Sequence, residues 1–279
     1  MWERLAAIDS RIIYALLLAS IVVPLVHPIG LPIPVSKDTQ RMYDTIAALP
    51  EGARVLIDYE MSGGLVPECE PQAYAIFSHL LAKKAKLYVV ALGVEGPVFA
   101  ERTLTVYSQA GMKRGVDFVN LGYASGGESG MAALCDDLLK TFPTDFQKQD
   151  TRSLPMMQGV KGIEAMDLII TFNGGAMGSG IAEWVRQAVT ARKRPLAAAV
   201  TAVLAPGNNP YLQSGQLKAQ LVGLKGAAEY EMLLRKPGKG ASAMDAQSVV
   251  HILVIGLVVI GNIGYHLSRR TQRAEGGRR

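Results

Sequence analysis

The chain has 279 residues, 49% hydrophobic and 19% charged, with a formal net charge of +5. Residues 268–279 hold five Arg against one Glu, residues 1–11 sum to zero, and the rest of the chain carries only about +1. A nearly neutral middle lacks the clustered Lys and Arg of a nucleic-acid binder, and two cysteines, Cys69 and Cys135, are too few for a disulfide framework and match no metal-ligand spacing.

Residues 1–35 read as an N-terminal membrane anchor. The apolar run 12–26 (IIYALLLASIVVPLV) is followed by HPIGLPIPV. No small-x-small cleavage site follows the run, so the expectation is an uncleaved anchor rather than a signal peptide. Pro24, Pro28, Pro32 and Pro34 make its end extended. Ser36 is placed to cap an amphipathic helix in which Met42, Tyr43, Ile46 and Leu49 recur at helical spacing.

A regular alternation occupies the predicted domain, 36–235. Short apolar strands are expected at 54–59 (RVLIDY), 87–93 (LYVVALG), 116–122 (VDFVNLG), 167–172 (DLIITF) and 195–203 (PLAAAVTAV), each followed by a helical pattern. The last helix is expected over 211–234. Near-continuously apolar strands alternating with helices indicate a parallel sheet covered on both faces. The expected fold is therefore α/β: a five-stranded, mainly parallel, Rossmann-like or flavodoxin-like three-layer sandwich flanked by transmembrane helices. Strand order is not legible.

Residues 236–248 (KPGKGASAMDAQS) read as a flexible linker. The run 249–268 contains no charged side chain and, at about 1.5 Å per residue, approaches the ~30 Å of a bilayer core. The basic tail, 269–279, suits anionic lipid headgroups. Asn262, Gly256 and Gly264 in the last span, and Ala15 and Ala19 in the first, are small or polar residues of the kind that let spans touch other helices. Partners expected on this basis are membrane lipids and other membrane proteins or copies of the chain. The terminal flanks hold seven basic residues and the domain flanks five, so the positive-inside rule puts both termini in the cytoplasm and the domain outside.

In parallel α/β sheets, ligands bind beyond the carboxyl ends of the strands. Two glycine-rich turns fall there: Ser125, Gly126, Gly127, Glu128 and Ser129 after strand three, and Asn173, Gly174, Gly175 and Ser179 after strand four. Neither has dinucleotide or P-loop spacing. Their backbone N–H groups and hydroxyls would suit an anionic group; tight turns and close helix packing explain the same glycines. No particular cofactor is indicated. Gly127-Glu128-Ser129-Gly130 resembles a nucleophile elbow in position, but Met131 breaks the pattern. His27, His251 and His266 lie in or beside the anchors and His79 precedes the serine, so a serine hydrolase is not expected. Asp58 and Glu60, which this reading puts on opposite faces of strand one, would with Glu128 be oxygen ligands for Mg²⁺. Three functions follow in order of preference: a non-catalytic, membrane-anchored assembly or interaction subunit; a ligand-binding or sensing module using the glycine-rich crevice; and a metal-assisted hydrolase.

Overall fold

The computed structural model describes residues 9–175 and 180–276, with 267–276 described by backbone alone. In chain order the helices are α1 (Ser10–Val26), α2 (Lys37–Ala47), α3 (Val66–Ala82), α4 (Gly96–Gln109), α5 (Glu128–Asp136), α6 (Leu138–Thr141), α7 (Ile181–Trp184), α8 (Asn209–Gln213), α9 (Gly223–Leu233) and α10 (Lys239–Gly276). The strands are β1 (Arg54–Glu60), β2 (Lys86–Ala91), β3 (Phe118–Tyr123), β4 (Leu168–Asn173), β5 (Leu196–Val200) and β6 (Leu217–Val222). They form one parallel sheet in the order β3-β2-β1-β4-β5-β6.

The described sheet thus has six strands where five were expected. β6 lies inside the stretch read as helix. Leu217, Ala219 and Leu221 are buried, and Lys218 between them is exposed, which is the period-two pattern of a strand. Leu, Lys, Ala and Gln are also strong helix formers. Pairing with β5 decides between the two.

Side chains alternate between two cores. Val55, Ile57 and Tyr59 of β1 pack with Met42 and Ile46 of α2, Phe77 of α3, Tyr107 of α4 and Tyr230 of α9. Leu56 of β1 and Ile169 of β4 face the other way, against Met131 and Leu134 of α5, Leu138 of α6 and Trp184 of α7. Helices therefore cover both sides. Ser36 caps α2 as expected, accepting the Thr39 N–H at 3.3 Å. The order of strands reverses between β1 and β4, and the chain changes face after β3.

The chain divides into two units, residues 33–240 and residues 1–32 with 241–279. In the first, the stretch read as a flexible lead is pinned. Both oxygens of Glu231 accept backbone N–H groups, from Gly238 and Gly240, each at 2.9 Å. Lys239 reaches Glu70 at 3.1 Å and lies 4.3 Å from the centre of the Tyr74 ring. Helix α10 begins here rather than ten residues later.

In the second unit, α10 over Lys239–His266 is long and apolar enough to cross a membrane. Helix α1 is apolar but has 17 residues, about 25 Å of helix, short of the ~30 Å core. Asp245 is buried and holds the loop after α1, accepting N–H groups from Ile29, Gly30 and Leu31. Gly30 has φ +73°, which turns successive N–H groups toward the carboxylate. Of the residues expected at helix contacts, Ala15 and Ala19 are exposed, and a methyl group at Gly256 would meet nothing within 4 Å. The Asn262 amide donates one of its two N–H groups to Val258 O in its own helix at 2.9 Å. Gly264 is buried.

Candidate functional site

The sheet brings four polar side chains together where the strand order reverses. Register pairs Asp58 with Thr171 and Glu60 with Asn173 across β1 and β4. The Thr171 hydroxyl donates to Asp58 Oδ2 at 2.8 Å, and the Trp184 indole N–H donates to the same oxygen at 2.7 Å. Asn173 Nδ2 donates to Glu60 Oε2 at 3.3 Å. Asp58 and Glu60 do not lie on opposite faces: residues two apart on a strand share a face, and both stand on the side of α7. Each is buried. A buried carboxylate is costly unless hydrogen-bonded, and Asp58 receives two donors from elements more than a hundred residues away. Trp184 escaped the sequence reading. Its one signal there is that a buried indole N–H requires an acceptor.

Beside this pair, a cleft of about 230 Å³ opens at the carboxyl ends of β1, β2 and β3. Its walls include Glu60, Met61 and Ser62 after β1, Leu92, Val94 and Glu95 after β2, and Tyr123 and Gly127 after β3. Glycine sets this geometry at one point. A Cβ on Gly96, the first residue of α4, would lie 2.2 Å from the Tyr59 carbonyl oxygen, so only glycine lets α4 start this close to β1. The preceding residue, Glu95, is thereby held over the strand ends, where its Oε2 accepts the Gly63 N–H at 3.0 Å. Among these, Glu60 and Gly127 were singled out from sequence as candidates. Glu95 and Tyr123 carry no signal of their own in the sequence, because a solvated edge residue and a cleft wall look alike there.

The two glycine-rich turns behave differently. In the first, Gly126 has φ +102° and Gly127 +55°, and the Ser129 hydroxyl donates back to Gly126 O at 2.7 Å. Ser125 O packs where a Cβ on Gly130 would be, 2.1 Å away. Ser129 therefore lies exposed in the first turn of α5, its hydroxyl closing its own loop. In the second turn Gly175 donates its N–H to Asn173 Oδ1 at 2.8 Å. A Cβ on Gly174 would fall 2.2 Å from a Leu65 methyl, and one on Gly175 2.9 Å from a Leu204 methyl. Leucine side chains, then, are what approach these glycines. Ser179 lies outside the described residues.

Glu128 is not brought to Asp58 and Glu60; it pairs with Arg186 at 2.9 Å, which also reaches Glu183 at 3.0 Å. Among the described residues no group of three or more His, Cys, Asp or Glu side chains is placed to hold a metal ion. His79 stands in the other core, its Nδ1 2.8 Å from the Tyr230 hydroxyl and its ring 4.7 Å from that of Tyr43. Burial, helped by nearby Lys83, lowers its pKa from 6.5 to about 4. Cys69 and Cys135 are free and buried in opposite cores, and burial pushes both thiols up to about 12.

No protein-family model, curated protein or solved structure matches this chain.

Proposed function

We propose that this chain is a membrane-tethered binding domain whose ligand sits in the cleft between Glu60, Glu95 and Tyr123, and that it binds without turnover. The single observation carrying this reading is the position of the cleft. It lies at the carboxyl ends of β1–β3, next to the reversal of strand order, where parallel α/β sheets take their ligands. The order β3-β2-β1-β4-β5-β6 is that of Rossmann-like sheets, although the turn after β1, Met61-Ser62-Gly63-Gly64, lacks their glycine spacing. Binding without chemistry is favoured by the histidine and thiols: His79 is engaged by Tyr230 in the core that packs α3 against α9, and both cysteines are enclosed. Chain segments at both ends supply the tether, with α10 crossing the bilayer, α1 as a second, shorter crossing, and both termini cytoplasmic.

The test is a thermal-shift screen of the full chain in mild detergent against small charged and neutral metabolites. A ligand that binds the native state raises Tm with its concentration. Ser62→Trp, which fills the cleft from its half-buried wall, should abolish the shift. Stabilisation insensitive to Ser62→Trp would place the ligand elsewhere, and turnover of any ligand found would restore the enzyme reading.

A second reading, an assembly subunit that joins other membrane proteins or copies of itself, is favoured by α10. Gly256 and Gly261 face open space there, and backbone left bare in a span suits close approach by another helix. Gly256→Leu with Gly261→Leu should then reduce the size of the detergent-solubilised particle while the domain stays folded.

A further inference from the structure

We infer that the ligand of the Glu60–Glu95 cleft is a small organic cation, an amine carried on an apolar body. The inference rests on the binding reading above and goes beyond it by fixing the sign of the charge. It also reverses the sequence-based expectation of an anionic group.

The charge on the walls is the first argument. Two carboxylates, Glu60 and Glu95, line the cleft, and no Lys, Arg or His is among the lining residues. Beyond the wall, Glu128, which adjoins Gly127, is paired with Arg186, so that guanidinium is matched by a carboxylate of its own. Glu60 is 5% exposed, so a charged group brought beside it is screened little by water. An anion entering here meets two like charges, and such uncompensated contacts are how a site rejects the wrong partner. A cation meets two opposite ones.

The remaining walls give the second argument. Leu92, Val94, Met61 and Leu65 are apolar, and Tyr123, 42% exposed, adds an aromatic side chain of the type that attracts organic cations. A hydrated metal ion gains nothing from such walls and finds too few oxygen ligands, whereas an amine with a hydrocarbon body uses both parts. The volume, about 230 Å³, lies below the 300–1,000 Å³ usual for drug-sized ligands, so the body is of single-ring size.

The glycine turns supply the third argument. In the second turn the Gly175 N–H is already taken by Asn173 Oδ1, and Leu65 and Leu204 stand where side chains on Gly174 and Gly175 would be.

The experiment uses the full chain in a neutral detergent and three probes sharing one ring: phenethylamine, 2-phenylethanol and 3-phenylpropionate. Calorimetry or saturation-transfer NMR should give phenethylamine a Kd at least tenfold below the other two. Glu95→Gln, at an exposed position, should weaken the amine at least fivefold with Tm unchanged. Glu60→Gln should do the same, and if that variant fails to fold, Glu95→Gln carries the test alone. Equal or tighter binding of 3-phenylpropionate, or amine binding indifferent to Glu95→Gln, overturns the inference and leaves the binding reading standing. If none of the three probes binds, the inference fails; the binding reading fails with it only when the wider metabolite screen also yields nothing that Ser62→Trp blocks.

Discussion

The carboxylate of Asp245 accepts the backbone N–H of Gly30 at 2.8 Å, across 215 positions of sequence. The neighbouring N–H groups of Ile29 and Leu31 join at 2.8 and 3.1 Å, so one side chain of α10 captures three consecutive amides of the loop that follows α1. Neither apolar run on its own could hold this loop, which contains Pro28 and Pro32 and no regular structure. Hydrogen bonds to a charged acceptor contribute roughly 1.5–3 kcal/mol each. Asp245→Ala should therefore speed hydrogen exchange at the amides of residues 29–31 by at least tenfold, read by mass spectrometry on the peptide covering them. Unchanged protection would show that the loop is held by something other than this carboxylate.

Asp58 is fully buried, and the indole of Trp184 is one of its donors. Removing a donor from a buried acceptor costs about 1–3 kcal/mol, with a smaller loss for the space vacated. Trp184→Phe should lower stability by about 2–4 kcal/mol in urea unfolding of the full chain. A loss below 0.5 kcal/mol would mean that the indole N–H contributes nothing to holding the carboxylate.

His79 gives stability a pH dependence of definite sign. Its folded pKa is about 4 and its ordinary value 6.5. Between those values the unfolded chain takes up a proton that the folded chain refuses, so stability is full above about pH 6.5 and falls as pH drops toward 4. The expected loss from this residue by pH 4 is about 3 kcal/mol. It should be absent in His79→Phe, whose own stability is lower because the Tyr230 hydroxyl loses its partner. A wild-type and variant profile of equal slope over that window would contradict the assignment.

Topology can be read with thiol chemistry, because the native thiols are enclosed and held protonated. The folded wild-type chain should take up no maleimide until denatured. In that background Gly276→Cys reports only its own side of the membrane. With both termini cytoplasmic, an impermeant maleimide applied to intact cells should leave it unlabelled, and labelling should appear on lysis. Labelling before lysis would reverse the orientation derived from the arginine-rich tail.

Ser129→Ala should leave ligand binding within about threefold of wild type, since the hydroxyl closes its own turn and one such bond contributes about 0.5–1.5 kcal/mol to stability. A larger loss in binding, measured with whichever ligand the metabolite screen yields, would return Ser129 to the site.

What the sequence by itself determined was whatever is written in local pattern. Five of the strands are short runs of mostly apolar residues bounded by turn residues, and a strand buried on both faces needs no distant information to be recognised as such. The apolar stretch of α10 and the Ser36 cap are local in the same sense. Tertiary structure decided whatever depends on residues far apart. Residues 217–222 are strand because β5 offers an edge to pair with, which outweighs a composition that would equally form helix. The 236–240 segment is ordered because Glu231 and Glu70 happen to face it. Asp58 meets Trp184, 126 positions away, and Glu60 meets Asn173 only once β1 and β4 become neighbours in the sheet order. Glycine shows the division most sharply. In sequence, Gly127, Gly174 and Gly175 are the same kind of residue, suited equally to a ligand or to packing. Only the fold puts Gly127 on a cleft wall and sets leucine side chains against the other two, because what a bare Cα admits is determined by whichever group the rest of the chain brings to it.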